Sequence, residues 1–398
     1  MAAALLWSPA AFAGDGIDAL MRDAIAAKKA GNFDDAIAAL NKILAVNARH
    51  EQALVTLGRS YGAKQDFKQA GKYLERALEV NPKSPDAHRF MALTSIKLRQ
   101  LKKALKHAKQ SAKYAPNVWE GHHLLAEIHM GLRQLKAAIK AEKRVVKLKP
   151  DFAGGHLALA VAYRLDGKVK RALKHSKKAA KLAPKALEPR MAVAGMYAEL
   201  GKRKKAVASL KKAEKIAAAY PNGLEKVGLA YLGMQAAPEA MRIFLGLIKK
   251  NPKNAGAHNA MANIFLRLQK PDLALSHAKS AAKLKPNLAD PLKVMALISS
   301  SKNDCKGAES QMRKAITLAP MAMDLRLGMS HILTQCKKYS GAAKELQAIL
   351  KVAPRARGVK TPLCKLYRHL KTQTATAKAV CYGACAEMGV SKKDCAVP

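Results

Sequence analysis

The sequence predicts an all-α protein: a solenoid of about ten helix-turn-helix repeats stacked in a row. Three observations lead there. Proline returns every 34 residues, at Pro82, Pro116, Pro150 and Pro184 and again at Pro252, Pro286, Pro320 and Pro354. Alanine returns in the same frame, at Ala36, Ala70, Ala104, Ala138, Ala172, Ala206, Ala274, Ala308 and Ala342. The composition suits helices, because Ala, Leu and Lys dominate and aromatic residues make up only 5%.

Residues 1–16 form a lead-in. Ala2–Trp7 is a short apolar run, and Ala11-Phe12-Ala13 before Gly14 is a small-x-small cleavage pattern. Together they read as the end of a secretory signal peptide, so a periplasmic or secreted location in a bacterial envelope is expected. No other segment reaches the roughly 18 consecutive apolar residues of a membrane-spanning helix.

Residues 17–356 divide into ten units when the proline is placed thirty-second. The eighth position is Gly or Ala in most units (Ala24, Gly58, Ala92, Ala126, Ala160, Ala194, Ala262, Ala296) and the twentieth is Ala in all the regular ones. Small residues at both places let two antiparallel helices approach closely, and apolar residues at helical spacing face the shared seam. The eleventh position is aromatic in several units (Tyr61, Tyr163, Tyr197, Phe265), and the twenty-seventh is usually Ala or another small apolar residue (Ala77, Ala179, Ala281, Ala315). Turn signals such as Ala30-Gly31-Asn32, Asp166-Gly167 and Leu200-Gly201 separate the helices, and the proline closes the second one. The first unit has Ala48 in place of proline, as befits a terminal cap. Pro221 lies 37 residues after Pro184 and 31 before Pro252. That leaves an irregular junction at 217–254, where a bend is expected.

Residues 357–398 form a Cys-rich cap, in which Lys360 to Met388 reads as one more helix pair. All six cysteines lie in the last quarter: Cys305, Cys336, Cys364, Cys381, Cys385 and Cys395. An even, clustered count behind an export signal favours disulfides, although the sequence does not choose among the connectivities. Cys305 and Cys336 both fall near turns of adjacent units and form a natural pair. The other four would staple the terminal helices.

The residues at positions eight, eleven, twenty, twenty-seven and thirty-two, and the segment Leu54–Pro82 almost throughout, resemble the tetratricopeptide repeat family. The resemblance implies a right-handed α-solenoid and a protein-binding scaffold, and leaves the partner open. One departure is the fourth position, often Trp in the family and here His88, His122, His156 and His258. The resemblance also implies that positions two, five, nine, twelve and thirteen of each first helix line a concave groove. Candidate groove residues are Arg89, Leu93, His123, Glu127, Leu157, Val161, Arg164, Asn259, Asn263 and Arg267. This mixture suits a protein or peptide ligand, which is the primary functional expectation.

The charge supports an alternative. With 72 Lys+Arg against 28 Asp+Glu the formal net charge is +44, which attracts polyanions. Within the repeat frame Lys102, Lys106, Lys109 and Lys113 occupy positions 18, 22, 25 and 29. Lys136, Lys140, Lys143 and Lys147 repeat the pattern, as do Lys170, Lys174, Lys177 and Lys181. Spacings of four, three and four place each set on one stripe of the second helix, opposite the core positions. In the family that face is the convex back. A lysine field there would bind lipopolysaccharide, acidic polysaccharide or extracellular DNA.

No constellation for catalysis, metal or cofactor is expected. The cluster His122, His123, Glu127 and His129 is explained by repeat packing, and His107, His175 and His277 recur at position 23. No phosphate loop, nucleophile elbow or paired carboxylates appear. The expectation is a non-enzymatic scaffold without cofactor.

Overall fold

The computed structural model describes residues 9–354, 356, 358–372, 374–388, 391 and 395, and the side chains from residue 16 onward. The apolar run Ala2–Trp7 lies outside the described residues. All regular elements among them are helices, and the chain divides into two compact units, Met1–Lys212 and Ala213–Pro398.

The first unit pairs α1 (Pro9–Ala30) with α2 (Phe33–Val46), α3 (Glu51–Ala63) with α4 (Phe67–Val80), and α5 (Pro85–Lys97) with α6 (Leu101–Tyr114). It continues with α7 (Trp119–Gly131) and α8 (Leu135–Leu148), then α9 (Ala153–Leu165) and α10 (Val169–Leu182). It ends with α11 (Leu187–Glu199) and most of α12 (Arg203–Ala217). α1 begins ahead of the expected repeat boundary and takes in the cleavage pattern Ala11-Phe12-Ala13.

Each pair closes on the alanines of the repeat. Ala36, Ala70, Ala104, Ala138 and Ala172 are fully buried, as are Ala24, Ala92, Ala126 and Ala194 across the seam. The approach is close enough that a β-carbon added to Gly58 would come within 2.5 Å of the Leu74 side chain. Side-chain caps start several helices: Asp66 accepts from the Gln69 N–H, and Ser84, followed by Pro85, accepts from the Ala87 N–H. First helices of successive repeats also touch, α3 with α5, α5 with α7 and α9 with α11. No comparable approach joins second helices among the described residues, so the first helices form the shorter, inner side.

The turn inside each pair has one conformational rule. A residue just after the first helix is left-handed in every repeat of this unit: Gly31, Gln65, Arg99, Arg133, Gly167 and Gly201. Only three of these six are glycine, the residue that adopts such a φ without a steric penalty. Arg133→Gly should therefore stabilise the chain by about 0.5–1 kcal/mol, seen as a higher urea midpoint. An unchanged or lower midpoint would contradict that account.

The second unit opens with α13 (Gly223–Gly233) and α14 (Ala237–Lys250). α13 is shorter than the other first helices of the repeats, and its N-cap Asn222 is left-handed. A β-carbon on Gly223 would lie 2.1 Å from the Ala217 carbonyl oxygen, so this tight re-entry needs glycine. Three regular pairs follow: α15 (Ala255–Arg267) with α16 (Pro271–Leu284), α17 (Ala289–Ser301) with α18 (Cys305–Leu318), and α19 (Met323–Gln335) with α20 (Tyr339–Val352). The cap is α21 (Lys360–His369) and α22 (Ala375–Glu387).

Three disulfides tie this end. Cys305–Cys336 joins the turns of adjacent repeats, Cys364–Cys381 joins α21 to α22, and Cys385–Cys395 returns the tail to α22. The first pairing is the one that the repeat frame suggests. The cap is a disulfide-stapled helical hairpin, whose Leu363, Leu366, Tyr367 and Ala377 extend the apolar core of the last repeats.

Candidate interaction surfaces

The inner side of the first unit carries an apolar pocket with a cationic rim. A cavity of about 350 Å³ is lined by Phe67, Phe90 and Leu93 and by Lys28, Arg59 and Lys97. Leu93, a candidate from the sequence, is 39% exposed. The Arg59 and Arg89 guanidinium groups each lie 4.5 Å from the centre of the Phe90 ring. Arg89 is held by Asp86 through hydrogen bonds of 3.2 and 2.5 Å, whereas Lys28, Arg59 and Lys97 make no ion pair among the described residues. Burial, then the charge of Arg89, holds Arg59 below its ordinary value. Burial, then Arg59, does the same to Lys28. The pocket is thus a place where positive charge is crowded and a carboxylate would relieve it.

Further along the inner side the candidates are more occupied. His123 is partly buried, with Nδ1 2.6 Å from Oε1 of Glu142, and it packs against Trp119 and Phe152. Glu142 is 1% exposed, in a position that the repeat frame reserves for core residues. Burial pushes its carboxyl up. Burial also opposes the charge on His123, but the bond to Glu142 and the nearby carboxylates outweigh it and raise the imidazole. Exposed Glu127 lies 3.7 Å from His123. Leu157 is half-buried and Val161 is exposed. Arg164 pairs with Glu199 of the next repeat at 3.2 Å.

In the second unit, Asn263 donates to the Asn259 carbonyl at 3.0 Å, and exposed Arg267 lines a cavity of about 530 Å³ with Leu232, Gln235 and Leu268. A second apolar cavity in this unit, about 430 Å³, lies between the last repeat and the cap. Leu327, His331, Tyr339, Leu366 and His369 line it. The sequence reading did not single out that cavity, nor Lys28, Arg59 and Lys97. The three cations sit at groove positions twelve, nine and thirteen, where the frame could have found them.

The second helices present the lysines. All twelve lysines of the stripes on α6, α8 and α10 are exposed, and none makes an ion pair among the described residues. The opposite faces are buried through Ala104, Ala108 and Ser111 on α6, Ala138 and Val145 on α8, and Ala172, Ser176 and Ala179 on α10.

The histidines form a repeated latch. Nδ1 of His88 is 2.9 Å from Nδ1 of His107, and the same pairing joins His156 to His175 at 3.1 Å and His258 to His277 at 3.0 Å. In each pair Nε2 of the first histidine lies 3.0–3.1 Å from the carbonyl of the proline six residues earlier: Pro82, Pro150 or Pro252. A carbonyl only accepts, so that Nε2 carries a proton, and when the ring holds only that one its Nδ1 accepts from the partner's Nδ1–H. Burial, then the paired histidine, then neighbouring lysines hold His107 and His175 down at about 4. Position four donates to the preceding proline carbonyl even where the pair is missing, through His122 and through Arg190. The latch therefore joins consecutive repeats.

Models of the tetratricopeptide repeat match residues 27–94 and 123–186. The chain carries tetratricopeptide repeats. Among solved structures, this tetratricopeptide-repeat protein is similar to yeast Tom70, with a TM-score of 0.50 at 15% identity, over 96% of this chain and 94% of that one. That likeness is one of fold. The thermophilic protein TTC0263 of Thermus thermophilus matches at 28% identity with a TM-score of 0.38, over 46% of this chain and 99% of that one. YrrB, described as having an unusual peptide-binding site, matches at 16% identity with a TM-score of 0.42, over 47% of this chain and 96% of that one. No curated protein matches the chain.

Proposed function

We propose that the chain is a non-enzymatic exported scaffold that binds another protein or a peptide along the inner side of its first helices. The pocket of Phe67, Phe90 and Leu93 beneath Lys28, Arg59 and Lys97 carries this reading. An apolar floor under unpaired cations favours a segment that sets an acidic residue beside a large apolar one. The three disulfides support export, because such bonds persist in oxidising compartments. Selection of a displayed random-peptide library on the full chain should enrich such acidic-apolar sequences. Arg59→Glu combined with Leu93→Asp should remove the enrichment. Enrichment of basic peptides, or enrichment that survives in the double variant, would rule the pocket out.

A second activity on the outer side is supported by the twelve exposed lysines. An evolved helix surface ordinarily interleaves acidic residues, because like charges one turn apart destabilise it by about 0.2–0.5 kcal/mol per pair. The stripes of α6, α8 and α10 are unrelieved. We read them as a docking face for an extended polyanion, such as lipopolysaccharide, acidic polysaccharide or extracellular DNA.

A further inference from the structure

Position 23 carries a ring in three repeats of the first unit and a small residue in the other three, Ala39, Ala141 and Ser209. Tyr73 occupies it in α4, stacked on Tyr61 with ring centres 5.4 Å apart. His175 occupies it in α10, stacked on Tyr163 at 5.7 Å, and His107 occupies it in α6. In the repeat formed by α11 and α12 the residue is Ser209. Its expected aromatic partner Tyr197 has no ring to stack on there. Instead, the Lys177 ammonium lies 5.3 Å from the centre of the Tyr197 ring.

Beside Ser209 and Tyr197 is a notch of about 390 Å³. Four cations line it: Lys177 and Lys181 from the stripe of α10, Arg190 from α11 and Lys212 from α12. The remaining lining is Ala180, Val193, Tyr197 and Ser209, with no carboxylate. The cations come from three helices, so the notch is a concave site and differs from the open stripes. Arg190 is oriented by donating Nε–H and Nη2–H to the Pro184 carbonyl at 2.9 and 2.7 Å, and its other N–H groups make no hydrogen bond among the described residues. Ser209 donates to the Lys205 carbonyl at 2.8 Å, which fixes its hydroxyl. A hydrogen bond from Lys177, with the charges of Lys177, Lys205 and Lys202, holds the Tyr197 phenol below its ordinary value.

We propose that this notch binds a compact, doubly charged tetrahedral oxyanion, in the form of a phosphate monoester. Guanidinium, ammonium and phenol donors converging from three sides match the several acceptor oxygens of such a group. A single carboxylate would leave most of the four charges uncompensated. The proposal rests on the outer-face reading only for its natural source, a phosphorylated end or branch on the polyanion that the stripes attract.

The test is calorimetric titration of the full chain with inorganic phosphate, glucose 1-phosphate and acetate at low ionic strength in a buffer without phosphate. One saturable equivalent is expected for both phosphates and none for acetate. Ser209→His restores the ring found in other repeats and should weaken phosphate binding at least about tenfold. Glutamine at the four stripe lysines of α6 alone should leave it within about twofold. Should Ser209→His unfold the repeat, Lys181→Gln with Tyr197→Phe serves instead, with the same loss expected. Unsaturable binding, or binding unchanged by filling the notch, would overturn the proposal. Loss of long-chain polyanion binding in the α6 variant with phosphate binding intact would separate the site from the outer-face reading. If phosphate alone binds and glucose 1-phosphate does not, the monoester assignment fails.

Discussion

Replacing the twelve stripe lysines of α6, α8 and α10 by glutamine should abolish most salt-dependent binding to a duplex DNA probe and, at the same time, make the chain more stable. The two effects have one origin. Neutralising phosphates releases counterions, so affinity falls with salt at a log–log slope of about 0.9 per phosphate contacted. A face making six to ten such contacts loses about 10³–10⁵ in affinity between roughly 50 and 200 mM salt. The variant should lose both the affinity and the slope. Each stripe also contains three like-charge neighbours at helical spacing, and removing all of them should raise stability by about 2–4 kcal/mol at low salt. Weaker binding with higher stability would mark the lysines as retained for a partner. An unchanged slope would sink the outer-face reading, and lower stability would show that the stripes are partnered within the fold.

Acid should loosen the histidine latches. The folded chain holds His107 and His175 at about 4, below the ordinary 6.5. A group with a depressed folded pKa contributes stability that is fully present above the unfolded value. That stability is lost as pH falls through the folded value. The window is therefore from 6.5 down to about 4. Around His107 stand His88, Lys103, Lys106 and Glu75, and around His175 stand His156, Lys174 and Lys143. Three of these neighbours in the first set and all of those in the second oppose protonation, so only Glu75 works against the effect. After discounting for solvent at half-exposed rings, the two latches together should cost about 1–2 kcal/mol across that window. Thermal melts from about pH 7 to 4 should show a falling midpoint, and His107→Phe with His175→Phe should flatten the fall. An equally steep fall in the double variant would place the acid sensitivity elsewhere.

Much of the fold was legible because it is written in short-range sterics. Alanine at position twenty and glycine or alanine at eight mark where backbones must approach, and the structure buries them there. Cys305–Cys336 was legible because both residues fall at turns of neighbouring repeats. Cys364–Cys381 depends on how α21 and α22 face each other, and Cys385–Cys395 on the path of the tail back to α22, neither of which a periodicity reports. The left-handed turn residue was legible only at Gly31, Gly167 and Gly201, since Gln65, Arg99 and Arg133 adopt the same φ without the usual signal.

The surfaces were read less well, because pairing decides what a groove charge can do. Arg89 and Arg164 sit at groove positions but are engaged by Asp86 and Glu199. The less obvious Lys28, Arg59 and Lys97 are the ones without an ion pair among the described residues. His123 is tied to Glu142, a carboxylate in a core position that the hydrophobic pattern gave no reason to expect. The recurring histidines at positions four and twenty-three were visible as a rhythm. Their bond to one another follows only once the two helices are known to be antiparallel and adjacent.

The central claim is that the inner side selects a protein partner while the outer side holds an anion. Photoreactive residues at Leu93 and Val161 on the inner side, and at Lys140 and Lys174 on the outer side, test it directly in an envelope fraction. The inner positions should give a discrete protein adduct that persists at high salt and disappears with Arg59→Glu. The outer positions should give no discrete protein adduct, or only material lost as salt rises. A discrete, salt-resistant protein adduct from the outer positions, with none from Leu93 or Val161, would contradict the account.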